Sequence, residues 1–307
     1  MNLNRREFLT TSMMAGGAAM LGGCKCPFCG TAARVPYDGT IGDRLWMWGH
    51  HRDSFKALKG TKEQLYNLPF DTRIDMAAAC KDMNIPGCFV VRWTNNPKKA
   101  ELPEYMKQFK DTKRVGFSIT DSAAEDFGEK VRLGFEYADK MPNLTTLIMD
   151  DFFSYKGYGL TLEVLREAKR GIARRNLKLG VVLYSDANKI KPEFKDVLDL
   201  CDEVTLWFWH GKNVGTIEPQ VGKLKDLIGD EKPVLLGQYM YDFGGRKPLP
   251  GKDMELQLAA ASRLLSQKAI NGVIFHCTPL VDMDLDAVKV SKAWINENKS
   301  KKWGAAF

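Results

Sequence analysis

The chain has 307 residues, 44% of them hydrophobic and 27% charged, and its 45 Lys and Arg against 38 Asp and Glu leave a formal net charge of +7. This composition is that of a folded globular protein and excludes collagen-like, disordered and polytopic membrane chains. The charges are interspersed and no basic run exceeds three residues, so nucleic acid is not expected as a partner.

The first residues predict an export signal. Residues 4–9 read N-R-R-E-F-L, and 10–23 form an uncharged stretch rich in Gly, Ala and Met, which together resemble a twin-arginine signal. This stretch is too short for a transmembrane helix, which needs about 20 apolar residues. Residues 21–24 read L-G-G-C and resemble a bacterial lipobox. We therefore expect a periplasmic or cell-surface protein whose only membrane contact is a lipid on Cys24.

The rest of the chain predicts one α/β domain. Eight short apolar runs are predicted strands, at 45–49, 87–93, 114–119, 145–150, 178–184, 203–209, 234–239 and 272–276. Eight stretches with helical periodicity alternate with them, at 71–83, 103–110, 126–140, 162–175, 192–198, 218–228, 254–268 and 285–298. Strict alternation without a Gly-rich first turn favours a single-domain (β/α)8 TIM barrel over a doubly wound sheet.

The domain limits follow from these elements. A signal at 1–23 and a flexible linker at 24–43 precede the barrel at 44–298, and 299–307 form a C-terminal tail. No G-x-G-x-x-G or P-loop motif follows any strand, so no cofactor is expected. The C-P-F-C motif at 26–29 has neither a second C-x-x-C nor a nearby His, which favours a tether segment, with a local disulfide left open, over a redox pair or half a zinc site.

All four histidines fall at the carboxyl ends of predicted strands, where the active sites of TIM barrels lie. His50 and His51 follow the first strand, His210 follows the sixth, and His276 ends the eighth. Because the first and eighth strands are neighbours in a closed barrel, we expect the histidines to share one pocket at the barrel mouth.

Tryptophan has the same bias. Trp48, Trp93, Trp207 and Trp209 lie in or just after strands, and Trp is uncommon inside barrels, where branched aliphatic residues dominate. Planar indoles at a barrel mouth suit the flat C–H faces of sugar rings, so these four residues are candidates for carbohydrate binding.

The fourth strand ends in two adjacent carboxylates, Asp150 and Asp151, directly after Leu-Ile-Met. Desolvation and the nearby like charge raise the pKa of such a pair, and one protonated beside one ionised carboxyl suits acid/base chemistry on a glycosidic oxygen. Both side chains reach the site only if the chain turns at Asp151. The alternative is a salt-bridged Asp150 with Asp151 as a helix cap.

Other polar residues end the remaining strands. Asp242, after the seventh strand, is a candidate nucleophile opposite the aspartate pair. Further candidates for substrate binding are Arg92, Asn95, Asp121, Tyr184, Asp186, Tyr239 and Tyr241.

The M-D-D-F-F sequence at 149–153 resembles exported TIM-barrel glycoside hydrolases, most of all the N-acetylhexosaminidases of the family-84 type. The resemblance implies that Asp150 polarises the 2-acetamido group of the substrate and that Asp151 is the general acid/base of a substrate-assisted displacement. The two-glutamate arrangement of common retaining enzymes and the D-x-x-D-x-D-x-E run of chitinases are both absent.

Two other functions remain open. The histidines and strand-end aspartates would also serve a metal-dependent hydrolase, although adjacent His50 and His51 diverge on a strand and no H-x-H pair is present. A surface lipoprotein that binds glycans without cleaving them would use the same tryptophans and carboxylates. No metal is expected on the leading hypothesis, a carbohydrate-active hydrolase.

Overall fold

The computed structural model describes residues 35–56, 60, 66–68, 72–121, 126–154, 159–185 and 190–307. The predicted signal, Cys24, the C-P-F-C motif and Asp186 lie outside these residues. Among the described residues, no helix combines the length and the hydropathy required to cross a membrane.

Eight parallel strands close into a barrel, which confirms the predicted (β/α)8 fold. Each strand pairs with its sequence neighbours, and the first pairs with the last through Trp46 opposite Ile274 and Trp48 opposite His276. The strands are β1 Leu45–Gly49, β2 Gly87–Val90, β3 Arg114–Ser118, β4 Leu144–Met149, β5 Lys178–Tyr184, β6 Glu203–Trp207, β7 Val234–Tyr239 and β8 Gly272–His276. Nearly all of their residues are buried, as continuous apolar strands covered on both faces require.

Helices follow the strands and cover the outside of the barrel. Those in the described part of the chain are α1 Met76–Asp82, α2 Leu102–Tyr105, α3 Phe127–Lys140, α4 Leu162–Arg174, α5 Lys195–Leu200, α6 Ile217–Ile228, α7 Gly251–Ser266 and α8 Asp286–Asn298. Side-chain caps begin two of them: the Asp126 carboxylate accepts from the Glu129 N–H at 2.8 Å, and the Thr161 hydroxyl accepts from the Val164 N–H at 3.3 Å.

Aromatic rings packed against glycines fill the barrel interior. Trp46 stacks on Phe89 with ring centroids 4.6 Å apart, and Trp48 meets Trp207 edge-on at 5.2 Å although β1 and β6 are not neighbouring strands. A Cβ on Gly237 would lie 2.1 Å from the Trp207 ring. The Trp207 ring therefore fits inside the barrel because the neighbouring strand β7 carries no side chain at Gly237.

The interlock, by which we mean the packing of the Trp207 ring on Gly237, predicts the effect of adding one methyl group at Gly237. Gly237→Ala should lower the free energy of unfolding by about 1–3 kcal/mol, because the Trp207 ring has to leave its position. In a Trp207→Leu background the same substitution should cost less, with a coupling of about 0.5–3 kcal/mol. Urea titration measures all four proteins. Gly222→Ala is the matched control: Gly222 is exposed in α6, a Cβ there meets nothing within 4 Å, and alanine should stabilise the helix. Equal losses in both backgrounds would contradict the interlock.

Segments that precede and follow the barrel in the sequence cover its N-terminal end. The Arg114 guanidinium, at the start of β3, binds the Asp43 carboxylate with both nitrogens, at 2.8 and 2.9 Å, and also donates to the Pro36 carbonyl. From the C-terminal segment, the Trp303 indole donates to the Ile270 carbonyl. The end of the predicted linker and the start of the predicted tail thus pack on the barrel.

Candidate functional site

The carboxyl ends of the strands present a ring of polar and aromatic side chains. Alternation along each strand directs every second residue inward, and this puts His50, Asp150, Tyr184, Tyr239 and His276 on the inner side of the mouth. Contacts join them: the Tyr239 ring lies 4.6 Å from the His276 ring, and His276 lies 5.0 Å from His50.

Asp150 and Asp151 leave β4 at its end and point toward the same region. Asp150 is 9% exposed, and its carbonyl accepts a hydrogen bond of 2.7 Å from the Thr120 hydroxyl. Asp151 has a φ of +51°, in the left-handed region that an Asp tolerates better than most residues. This turn in the backbone is what allows two consecutive side chains to face the mouth instead of diverging.

The surroundings of the pair favour protonated carboxyls. Burial raises the pKa of Asp150 well above its usual range, and the charges of Asp151 and Asp121 raise it further. Burial also raises the pKa of Asp151, against a hydrogen bond from Tyr184 that lowers it. Two ionised carboxylates side by side in a buried site are unfavourable in free energy. The pair therefore holds a proton more readily than free aspartates do.

Tyr184, at the end of β5, connects the pair to the next part of the mouth. Its phenol donates to the Asp151 carboxylate and is also hydrogen-bonded to Tyr239. Burial, followed by the charge of Asp151, raises the pKa of Tyr184 well above its usual value. Tyr184 therefore stays a neutral donor and fixes the direction of the Asp151 side chain.

The four histidines do not share one point. His50 stacks on Trp93 with centroids 4.9 Å apart and faces His276, and burial lowers the pKa of His50 to about 3 and that of His276 well below its usual value. The His51 ring instead lies 5.0 Å from Tyr105, and its Nδ1 accepts from the Asp53 N–H.

His210 lies next to a short hairpin that follows β7. In this hairpin Tyr241–Asp242 pairs with Lys247–Pro248, and a Cβ on Gly244 would meet His210 Nδ1 at 2.1 Å. One Asp242 oxygen accepts from the N–H groups of Gly211 and Gly245, at 3.0 and 2.7 Å. Through this oxygen Asp242 holds two loops together, and its predicted role as a nucleophile stays a prediction.

The predicted polar residues near β2 and β3 are also engaged in internal contacts. Lys130 from α3 binds the buried Asp121 carboxylate at 2.8 Å, and the Arg92 N–H donates to the same carboxylate at 3.2 Å. The Arg92 side chain donates to the Pro97 carbonyl and to the Asn95 side chain, both at 3.0 Å. These residues support the wall beside Asp150, and the Lys130 charge partly offsets the carboxylates there.

The aromatic candidates divide into two groups. Trp48 and Trp207 are 3% and 1% exposed and belong to the barrel core, so they do not form a binding platform. Trp93 and Trp209 are half-buried at the mouth, where Trp209 lies 5.5 Å from Phe243 and 5.7 Å from Tyr239. The last candidate, Tyr241, donates to the Tyr66 carbonyl at 2.5 Å and lines a loop contact.

Several residues at the mouth lacked a usable sequence signal. Phe243 contacts His276 at 4.9 Å and Thr278 exchanges two hydrogen bonds with the backbone of His50, while Lys130 arrives from a helix. Cys277 directly follows His276, and this position next to a strand-end histidine is the one sequence signal that could have singled it out among the cysteines of the described residues. Phe243 and Thr278 reach the mouth through contacts with residues far away in the chain, which no local pattern predicts.

Comparisons with known proteins identify no family for this chain. No protein-family model and no curated protein matches the chain. Among solved structures, an α-L-arabinofuranosidase from Thermotoga maritima in an arabinose complex is 10% identical with a TM-score of 0.49, over 78% of this chain and 64% of the arabinofuranosidase. Two structures of an archaeal fructose 1,6-bisphosphate aldolase, one with its catalytic Lys bound to the carbinolamine intermediate, are 15% identical with TM-scores of 0.46, over 89% of this chain and 100% and 99% of theirs. Likenesses at this level do not bear on activity.

Proposed function

We propose that this protein is a glycoside hydrolase in which Asp150 and Asp151 perform the acid/base chemistry. The observation that carries the proposal is the turn at Asp151, which brings two carboxyls with raised pKa values to the mouth beside a tyrosine that orients one of them. A glycosidic bond is cleaved by a proton donor at the leaving oxygen and a second group that stabilises the sugar cation.

The two aspartates differ in a way that assigns their roles. Asp151 is the more exposed of the two and is directed by Tyr184, so it is the better placed to donate a proton to the leaving oxygen. Asp150 is deeper, where it would orient and polarise a group on the sugar itself. With an N-acetylhexosaminide, that group is the 2-acetamido group, whose carbonyl oxygen then attacks the anomeric carbon.

The rim of the mouth supports a sugar as the substrate. Trp93 and Trp209 are half-buried, so each keeps part of an indole accessible while the rest is fixed by neighbouring rings. Aromatic faces pack well against the C–H faces of pyranosides. The Tyr184 and Tyr239 hydroxyls, which are hydrogen-bonded to one another, add polar groups beside the aspartate pair.

A panel of aryl and natural glycosides tests the proposal directly. We expect turnover of at least one N-acetylhexosaminide by the wild-type protein, and loss of that turnover in Asp150→Asn and Asp151→Asn. Saturable binding of sugars without any turnover across the panel would instead identify a glycan-binding protein. Turnover that both variants retain would exclude the aspartate pair as the catalytic groups.

The hydrogen bond from Tyr184 predicts a change in pH dependence. The phenol stabilises the ionised form of Asp151 and so lowers its pKa. In Tyr184→Phe this pKa should rise, the acid should stay protonated to higher pH, and the alkaline limb of kcat/KM should move upward. The pH profile with a poor leaving group measures this, and Tyr137→Phe on α3 is the control. A shift of that limb to lower pH would contradict the assignment of Asp151 as the acid.

A further inference from the structure

On the opposite side of the barrel mouth from the aspartate pair, His50, His276 and Cys277 form a second cluster that the proposed hydrolysis does not use. One ligand atom from each residue lies within 4.8 Å of the other two. His50 and His276 are each 6% exposed and Cys277 is fully buried as a free thiol. Two imidazoles and a sulfur so close together in a dry place are a donor set for a transition-metal ion.

The two histidines have unused coordinating atoms. In both His50 and His276, Nδ1 is buried and has no hydrogen-bond partner among the described residues. Buried ring nitrogens are normally paired because an unpaired one loses its hydrogen bond to water. Neither ring is therefore explained by packing alone, and both are available to an electron-pair acceptor.

We propose that His50, His276 and Cys277 bind a thiophilic divalent transition-metal ion, for which Zn²⁺ is the probe. Around Zn²⁺ the nitrogen and sulfur atoms lie about 2.0–2.3 Å from the metal and so about 3.3–3.8 Å from one another. Side-chain movements of about 1 Å bring the three donors to those separations. Imidazole together with thiolate selects Zn²⁺ over Mg²⁺ and Ca²⁺, which prefer oxygen ligands.

The ligands join the first and last barrel strands. His50 directly follows β1, and His276 ends β8. An ion bound by both histidines would cross-link β1 and β8 at the barrel mouth, where the two strands meet. Thr278 already bridges the same place through hydrogen bonds with the His50 N–H and carbonyl. The ion would thus fix the floor on which Tyr239 and Phe243 pack, independently of whether the aspartates hydrolyse a sugar.

The test uses the full chain with Cys24, Cys26 and Cys29 all replaced by Ser, so that the N-terminal cysteines cannot contribute. We expect one equivalent of Zn²⁺ after dialysis and elemental analysis, and a higher Tm with Zn²⁺ than after chelation. Co²⁺ in place of Zn²⁺ should give a thiolate-to-metal charge-transfer absorption band. Cys277→Ser should remove the band and His276→Gln should weaken Zn²⁺ binding by more than about 100-fold.

Cys201→Ser is the matched control, because Cys201 is also a buried free thiol but precedes β6 at the opposite end of the barrel. It should keep both the band and the stoichiometry. Less than a tenth of an equivalent of Zn²⁺, or a Co²⁺ band that survives Cys277→Ser, would overturn the proposal. If Cys277→Ser fails to fold, the Co²⁺ spectrum of the parent protein still decides, since absence of the band excludes sulfur ligation. Glycosidase activity is not a readout here, so either proposal can fail alone.

Discussion

Asp151→Asn should lower turnover of an N-acetylhexosaminide with a poor leaving group by about 10²- to 10⁴-fold, the usual contribution of general acid catalysis. The amide cannot donate the proton that the departing oxygen needs. Asparagine has nearly the same shape and tolerates the left-handed backbone at this position. We therefore expect KM to change little while kcat falls.

Leaving-group chemistry separates the two aspartates. An activated aryl group departs as a stable phenolate and needs no protonation, so the loss in Asp151→Asn should shrink with such a substrate. In Asp150→Asn the loss should persist, because the acetamido group is no longer polarised whichever group departs. Steady-state kinetics on paired substrates with good and poor leaving groups measures this contrast.

Asp284→Asn controls for a change of charge on the same face of the barrel. Asp284 follows β8, is almost fully exposed and pairs with Lys289 at the surface, so its loss should leave kcat unchanged. Equal losses on both substrates for Asp151→Asn would remove its role as the acid. Wild-type kinetics in both pair variants would leave Asp150 and Asp151 structural.

Asp43→Asn should lower the free energy of unfolding by about 3–5 kcal/mol, because it leaves the Arg114 guanidinium buried without its counter-charge. The two side chains are 2% and 3% exposed, and Lys113 lies 2.5 Å from the same carboxylate. Although burial opposes it, hydrogen bonding by Arg114 and Lys113 holds the pKa of Asp43 below its usual value. The stabilisation is therefore present above the unfolded pKa of about 3.9 and is lost as the pH falls below it.

Chemical denaturation at pH 7 and at lower pH measures the difference in the free energy of unfolding between the wild-type protein and Asp43→Asn. This difference should become smaller in acid. Asp139→Asn is the control, since its ion pair with Arg175 is exposed and such pairs contribute about 0–1 kcal/mol. A loss of under 1 kcal/mol for Asp43→Asn would show that the residues before β1 do not stabilise the barrel.

The fold could be predicted from the sequence because the patterns that indicate strands and helices are local. Burial on both faces makes the middle of β5 and of β8 continuous apolar runs, and a capping aspartate such as Asp126 lies next to the helix it begins. The predicted strand ends were less exact where a turn follows the strand. β6, for example, ends at Trp207 instead of 209, because apolar residues also continue into the aromatic rim.

Only part of the candidate site could be predicted from the sequence. Strand ends identified Asp150, Tyr184 and His276, since alternation alone puts such residues at the mouth. Sequence could not distinguish the core residue Trp207 from the rim residue Trp209. The difference rests on Gly237, a residue of the neighbouring strand that leaves room for one ring only.

The sequence by itself determined the barrel, the face that carries the candidate site and the adjacent aspartates, because period, turns and neighbouring residues are properties of short segments. Only the tertiary structure decided that Asp242 ties loops together, that Lys130 neutralises Asp121, and that Cys277 joins His50 and His276. The physical reason is that these contacts depend on distances of a few ångströms between side chains that belong to different elements of the fold. Those distances exist only once the strands have closed.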